Sequence, residues 1–404
     1  MSASQVLFVT RYFWPELIGS APFTSDIAQW LTRHGRETTV VTGLPHYPGV
    51  EVFPAYRGGG RGRETVGSVR VERLQLGAPR RASALSRISN EAEFLLRGLI
   101  ALMSGRVRRH PIVLALCPSI LGVALGLAAR QKGGVCIAIV HDIQSGLAER
   151  LGMGGRRLGG LMRIVERITL NRADLLVVLS SEMKEQLRSI GVTKPIDVIP
   201  LWVDTDQIRP DERAANASIK VLYSGNLGRK QGLGQVVALA EELASRRPDI
   251  EIILRGNGNQ LGELAAEIAR RRLGNVRLAE LQPNVGLAAA LAAGDIHLVP
   301  QNPITASFAV PSKVFNIMAV GRPFVATALP GSTLWQLQRS SGAFLCVPPD
   351  QPSTFAEAVV RLADDCELRR ELGRRGREFV KQHYAKPLIL GNFMSRLDAL
   401  AAGR

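Results

Sequence analysis

The sequence predicts an α/β fold made of two doubly wound parallel-sheet units. Three observations carry that reading. Strand-like runs alternate with helix-like segments along the whole chain. The strand runs are continuously apolar, as strands covered on both faces are, rather than alternating. The pattern pauses once, near residues 200–215, and then restarts, which divides 404 residues into two units of ordinary domain size. Aromatics are only 5%, while Gly (40) and Pro (22) are plentiful, a composition for turns and aliphatic cores rather than a β-sandwich.

The first half reads in order. Val6–Val9 is an apolar strand, followed by a Pro- and Gly-containing loop over 11–22. Phe23–Arg33 has helical spacing (Phe23, Ile27, Trp30, Leu31) and stops at His34-Gly35. Thr38–Thr42 is a β-branched strand, and further strands are expected at Val69–Leu74, Ile112–Leu116, Val135–Val140, Leu175–Val178 and Ile196–Ile199, with helical segments between most of them. The segment Ile112–Ala129 carries no charge, but Pro118-Ser119 interrupts it, so it reads as a strand, a turn and an apolar helix rather than a membrane span. The second half restarts with strand Ile219–Tyr223, helix Leu233–Ala244, strand Ile250–Leu254, helix Gln260–Arg271 and strand Asn275–Leu278. Helix Val285–Ala293, strand Asp295–Val299, helix Ser312–Val320, strands Phe324–Thr327 and Ala343–Val347, and helical segments to the end complete it.

Composition narrows the function. Lys and Arg number 51 against 35 acids, a net charge of +16, which calls for an acidic partner: a phosphorylated small molecule, an anionic membrane or nucleic acid. A codon bias toward Arg accounts for the same excess in part. Nucleic acid is disfavoured, because no binding motif or aromatic stacking platform is present. Cys117, Cys136, Cys346 and Cys366 are far apart, with no zinc or redox spacing, and read as free, mostly buried thiols in a reducing compartment. The N-terminal residues lack a basic region and a cleavage site, so no signal peptide is expected.

Both halves open with strand, glycine loop and helix. The first loop holds Gly19-Ser20-Ala21 and reads more readily as a tight strand-to-helix turn than as an anion site. The second runs from Ser224 through Gly225, Asn226, Leu227, Gly228, Arg229, Lys230 and Gln231 to Gly232, joining backbone access to two cations, as a phosphate site needs. Neither loop has the dinucleotide pattern. Pro311 suits a helix start, Ser312 can cap it, and Gly321 ends it before Arg322-Pro323. Lys313 then sits in the first turn, unfavourable against the helix dipole unless an anion is bound. His141-Asp142 follows an apolar strand at its carboxyl end, where such sheets bind ligands; the pair reads either as a hydroxyl-binding site or as a strand-end cap.

Six segments together resemble the family-4 retaining glycosyltransferases of the GT-B fold. They are Phe13-Trp14-Pro15-Glu16 with Gly19; Ala173-Asp174 to Ser180-Ser181; Ile199-Pro200-Leu201-Trp202-Val203-Asp204; Gly225 to Gly232; Arg255-Gly256-Asn257-Gly258; and Pro311-Ser312-Lys313 to Gly321-Arg322-Pro323. Within the family, the chain is most similar to enzymes of colanic-acid-type and related surface polysaccharides. It departs from the family at the paired glutamates, replaced here by Phe308 and Asn316, and at the loop's Arg and Lys, whose aligned positions are Asn226 and Gln231.

The resemblance implies two Rossmann-like domains, an acceptor-binding one over 1–204 carrying the last helix (386–404) and a donor-binding one over 205–385. It implies transfer of a sugar, with retention, from a UDP- or GDP-sugar to a lipid-linked or other glycan acceptor. No bound metal and no cofactor are expected, since enzymes of this fold generally transfer sugar without one. Lys230 and Arg229, with His141, are the expected catalytic residues. Gly19, Gly225, Asn226, Gly228, Arg255, Gly256, Ser312, Lys313 and Asn316 are expected to bind donor, and Glu16 and Asp142 to bind acceptor. The alternatives are a non-catalytic family member and a nucleotide-sugar epimerase on the same fold. The window Arg80–Arg109 holds seven Arg against two Glu, with apolar residues at helical spacing. That pattern fits either a packed helix or a basic amphipathic helix on an anionic membrane, and the resemblance favours a cytoplasmic protein bound peripherally to the inner face of the plasma membrane. The sequence gives no oligomeric state.

Overall fold

A computed structural model describes residues 5–16, 19–46, 51–58, 62–76, 84–117, 119–143, 155–210, 218–228, 231–281, 286–302 and 311–403. The chain divides into two compact units, Met1–Pro200 with Leu390–Arg404, and Leu201–Ile389.

In the first unit the order is β1 (Gln5–Val9), α1 (Ala21–Arg33), β2 (Glu37–Thr42), a 3-10 turn at Pro54–Tyr56, β3 (Arg63–Val66), β4 (Val69–Arg73) and α2 (Ala84–Met103). Then come β5 (His110–Cys117), α3 (Ile120–Ala129), β6 (Arg130–Val140), α4 (Gly155–Leu170), β7 (Leu175–Val178), α5 (Ser181–Ser189) and β8 (Ile196–Val198). The eight strands lie in the order β3-β4-β2-β1-β5-β6-β7-β8. Successive side chains of a strand point to opposite faces. Leu7, Val9, Val113, Ala115, Cys136 and Ala138 therefore join one core with Phe94 of α2 and Val123 and Leu125 of α3. The alternate residues Val6, Phe8, Ile112, Leu114 and Ile137 are equally buried on the other face. The apolar runs are continuous because neither face is left to water.

The sheet is not wholly parallel. β3 pairs antiparallel with β4, Arg63 opposite Glu72 and Val66 opposite Val69. Its sequence, Arg-Glu-Thr-Val, has one buried side chain, so it lacks the apolar signal of the other strands. Polar composition of this kind suits an edge strand, which must not recruit other chains. Of the cysteines, Cys117 and Cys136 are buried, Cys346 is half-buried and Cys366 is exposed, so only half fit the expectation of buried thiols.

The second unit contains β9 (Lys220–Ser224), α6 (Gly234–Arg246), β10 (Glu251–Arg255), α7 (Leu261–Arg270), β11 (Val276–Ala279), α8 (Leu287–Ala292), β12 (Ile296–Val299) and α9 (Ser312–Ala319). β13 (Phe324–Thr327), α10 (Thr333–Ser341), β14 (Leu345–Val347), α11 (Pro352–Asp364) and α12 (Cys366–His383) follow. Its sheet is parallel throughout, ordered β11-β10-β9-β12-β13-β14. The last helix, α13 (Lys386–Ala402), buries Phe393 and Leu397 and is tied to the first unit by the pairs Arg36–Asp398 and Arg396–Asp197.

Candidate functional site

Winding in the second unit reverses between β9 and β12. From β9 the chain moves outward through β10 and β11, then returns to place β12, β13 and β14 on the other side. Loops leaving the two central strands diverge, and the crevice at their carboxyl ends is where open parallel sheets bind ligands. The residues there are Gly225–Gly228 after β9 and Gln301-Asn302 after β12.

Backbone approach makes the glycines necessary. A Cβ on Gly256 would stand 1.8 Å from the Gly225 carbonyl oxygen, and one on Gly258 would stand 2.3 Å from that of Leu227. The two loops are joined by Gly225 N–H to Arg255 O (3.0 Å), Leu227 N–H to Asn257 O (2.9 Å) and Gln260 N–H to Leu227 O (3.0 Å). Below them the buried Tyr223 donates its O–H to the Asn226 carbonyl at 2.7 Å. On the β12 side, Gln235 Nε2 donates to the Gln301 carbonyl at 2.8 Å, and Gln301 N–H donates to Thr327 Oγ1 at 2.9 Å. The loop backbone is thus fixed before any ligand arrives.

Lys313, from the first turn of α9, reaches this loop. Its Nζ lies 3.9 Å from the centroid of the Tyr223 ring, and a Cβ on Gly225 would be 3.3 Å from it. The nitrogen is buried and has no hydrogen-bond partner. Burial drives its pKa down from 10.5 to about 7, because an ammonium loses its hydration there and gains only a ring face. Helix α9 begins on Pro311 with no side-chain cap; Val314 N–H turns back to the Pro311 carbonyl at 3.0 Å, and the positive dipole end faces the first turn that carries Lys313. An unpaired buried amine, an uncapped helix start and a glycine loop share one charge preference. The arrangement favours negative charge.

The other expected donor residues divide. Gly225, Gly228 and Gly256 form the loop, Asn226 is exposed on it, and Asn316 stands half-buried one turn beyond Lys313. Ser312 does not cap the helix. Pro311 occupies that position, and Ser312 is exposed within the first turn. Arg255 turns away from the loop, its Nη1 donating to the Ala290 carbonyl of α8 at 2.6 Å, so its guanidinium braces the fold. Arg229 and Lys230 lie outside the described residues.

In the first unit, His141 is half-buried at the end of β6, its N–H bonded to the Cys117 carbonyl at 3.0 Å and its ring edge-on to Phe23 at 6.0 Å. Burial lowers its pKa to about 4, so it is neutral at pH 7 and suited to hydrogen-bond a hydroxyl rather than to carry charge. Asp142 is exposed beside it, and Gly19 is exposed before α1 with φ +71°. Glu16 does not present its carboxylate to solvent. It is buried, Oε2 accepting from Phe13 N–H (3.2 Å) and Oε1 from His46 N–H (2.9 Å), and so braces two loops. Sequence reasoning missed Tyr223, Gln301 and Arg73. Arg73 is fully buried, paired with Glu64, donating to the carbonyls of Trp14 (2.6 Å) and Gly43 (3.2 Å) and lying over the Tyr56 ring at 4.6 Å. Nothing in the sequence around an arginine in a Val-Arg-Val-Glu-Arg strand marks it as a hub.

Comparison with known proteins agrees with these features. Residues 19–202 match the glycosyl transferase 4-like domain, and residues 218–365 match the glycosyl transferases group 1 domain. WcaI of Escherichia coli K12, a glycosyl transferase assigned to colanic acid biosynthesis, is 29% identical over 399 residues, covering 94% of this chain and 96% of WcaI. Among solved structures, sucrose-phosphate synthase of Thermosynechococcus elongatus superposes with a TM-score of 0.78 at 18% identity, covering 99% of this chain and 100% of that one. HepE of Anabaena, crystallised with UDP-glucose, gives 0.69 at 15% identity, covering 98% and 99%. The fold is that of the GT-B enzymes, and the chain belongs to the glycosyltransferases that join a glycosyl transferase 4-like domain to a group 1 domain.

Proposed function

We propose that this glycosyltransferase moves a hexosyl unit from a UDP- or GDP-sugar to a lipid-linked glycan acceptor during assembly of a surface polysaccharide, with retention and without a metal ion. The second unit binds donor and the first binds acceptor. Support for the pathway class comes from the similarity to WcaI, and for the donor class from HepE, whose structure holds UDP-glucose. The observation that carries the reading is the unpaired Lys313 amine at the uncapped start of α9, against the glycine loop at the switch point.

The chemistry follows from that placement. As the glycosidic C–O bond breaks, negative charge grows on the leaving diphosphate. Lys313, Lys230 and Arg229, with the N–H groups of α9 and the glycine loop, meet that charge in the place a metal ion fills elsewhere. Donors of this kind are worth roughly 10²–10³ in kcat each. The acceptor hydroxyl attacks from the face the diphosphate leaves, and its proton passes to the departing phosphate oxygen, so no enzyme carboxylate is needed. Asn316 hydrogen-bonds ribose or sugar, and neutral His141 orients a hydroxyl.

Binding to the membrane is the second part of the proposal. Helix α2 exposes Leu96 (58%), Ile100 (47%) and Met103 (79%), spaced as one helical stripe, and α4 exposes Ile164, Val165 and Ile168. Both helices pack against α3, and Arg97, Arg163 and Arg167 flank the apolar residues, the composition of an interfacial surface. No helix among the described residues is long and apolar enough to cross a membrane. A surface of this kind supports a position at the cytoplasmic leaflet, where a lipid-linked acceptor would be presented.

The test is a thermal-shift screen of the wild type and Lys313→Met with UDP, GDP and their sugars. A nucleotide at 100 times its Kd adds about 2.7 kcal/mol of stability. One nucleotide should stabilise the wild type and shift the variant far less. No shift with any of them would leave a non-catalytic family member.

A further inference from the structure

The first unit has a switch point of its own. Its sheet reverses between β1 and β5, and the crevice at their carboxyl ends holds Arg11 after β1 and Ser119 after β5. Arg11 is 6% exposed, yet its Nη1 is a buried donor without a hydrogen-bond partner, and among the described residues it forms no ion pair. Its neighbours are the Phe94 ring, 5.6 Å from the guanidinium carbon, and Gly43, where a Cβ would stand 3.1 Å from Nη1. The carboxylate nearest in charge, Glu91, is already hydrogen-bonded by the Ser119 hydroxyl, and burial raises its pKa. Ser119 in turn caps α3, accepting from Gly122 N–H at 3.0 Å. Gly43 adjoins Leu44, which with Glu51, Val52, Tyr56, Arg57 and Gln75 lines a cavity of about 430 Å³; Arg11 lies next to this cavity through Gly43 and is not part of its lining.

A guanidinium cannot shed its charge, and a buried one is compensated by a partner or costs stability. This one has a single ring face and an occupied carboxyl around it. We infer that Arg11 is the seat of an anionic group on the acceptor, a phosphate or a sugar carboxylate, bound at the β1/β5 crevice. The inference rests on the assignment of the first unit to the acceptor. It gives the acceptor a charge where the transfer reaction alone asks only for a hydroxyl.

The experiment uses the full chain saturated with the nucleotide that stabilises it, so that the donor site is filled. Inorganic pyrophosphate and glucuronate are added separately, and melting is followed for the wild type, Arg11→Lys and Arg11→Met. At least one anion should add a shift in the wild type, with an affinity roughly tenfold or more weaker in Arg11→Met and partly kept in Arg11→Lys. A shift with pyrophosphate alone assigns the charge to a lipid diphosphate, and one with glucuronate alone to an acidic sugar. Without anion, Arg11→Met should melt above the wild type, because an unpaired buried charge has gone. A lower melting point for Arg11→Met, with neither anion binding the wild type, makes Arg11 a structural residue and overturns the inference. The nucleotide shift is read in the same samples, and its absence would instead remove the donor assignment.

Discussion

Lys313 offers the sharpest test, because its burial makes proton binding and nucleotide binding the same event. A pKa held at about 7 instead of 10.5 makes the ammonium form costlier in the folded chain by about 5 kcal/mol. In the unliganded protein the unfolded chain then binds the extra proton between pH 7 and 10.5. The contribution of this amine to stability therefore rises with pH across that window, by on the order of 4 kcal/mol, and is lowest below pH 7, where the folded amine is charged and unpaired. Lys313→Met should remove this slope and raise the melting temperature at pH 7 by several degrees. The buried neighbours do not imitate the effect, because Tyr223 is pushed up and His297 is held at about 3 by burial, so both stay neutral through the window. A diphosphate reverses the balance by stabilising the ammonium. At pH 8, calorimetry of UDP and GDP in two buffers of different ionisation heat should show uptake of close to one proton by the wild type and none by Lys313→Met. Affinity should fall about tenfold per pH unit above pH 7.5 until the pKa of the complex is reached. Nucleotide binding without proton uptake, equally tight in Lys313→Met, would refute the reasoning.

Four further outcomes follow from the geometry. Gly256→Ala puts a methyl 1.8 Å from the Gly225 carbonyl oxygen, so the loop must move. Denaturant unfolding should show a loss of about 1–3 kcal/mol, with the nucleotide shift reduced. Ile100→Asp places a charge in the exposed stripe of α2 and should lower cosedimentation with anionic vesicles while the circular dichroism spectrum stays that of the wild type. His141→Gln should leave nucleotide-induced stabilisation intact and slow sugar transfer to a membrane fraction by roughly 10²-fold, the scale of one positioned group; unchanged transfer removes His141 from the mechanism. Arg73→Met leaves two loop carbonyls without their donor and Glu64 with only the Tyr56 hydroxyl, and urea melts should give about 3–5 kcal/mol less stability.

Legibility in the sequence followed how local the cause was. Leu175–Val178 and Phe324–Thr327 are strands where their apolar runs place them, and Gly321 ends α9 with φ +71°. β3 escaped because this edge strand buries only Val66 and is otherwise written in polar residues. Ser312 and Arg255 were given the donor by their neighbours in sequence, yet Pro311 holds the cap position and the Ala290 carbonyl holds the guanidinium. Glu16, in a loop that looks solvent-facing, is turned inward by two backbone donors from Phe13 and His46.

The sequence by itself determined the two α/β units and the glycine loop, since these depend on periodicity and on backbone freedom. Only the tertiary structure decided which charges matter. Lys313 and Arg11 are two of 51 basic residues; a first-turn position after Pro311 marks Lys313 in the sequence, and nothing local marks Arg11. They stand out because folding carries each to a switch point and buries it beside an aromatic ring without a full complement of partners. A charge acquires a function when its water is removed, and that removal is made by residues distant in the chain.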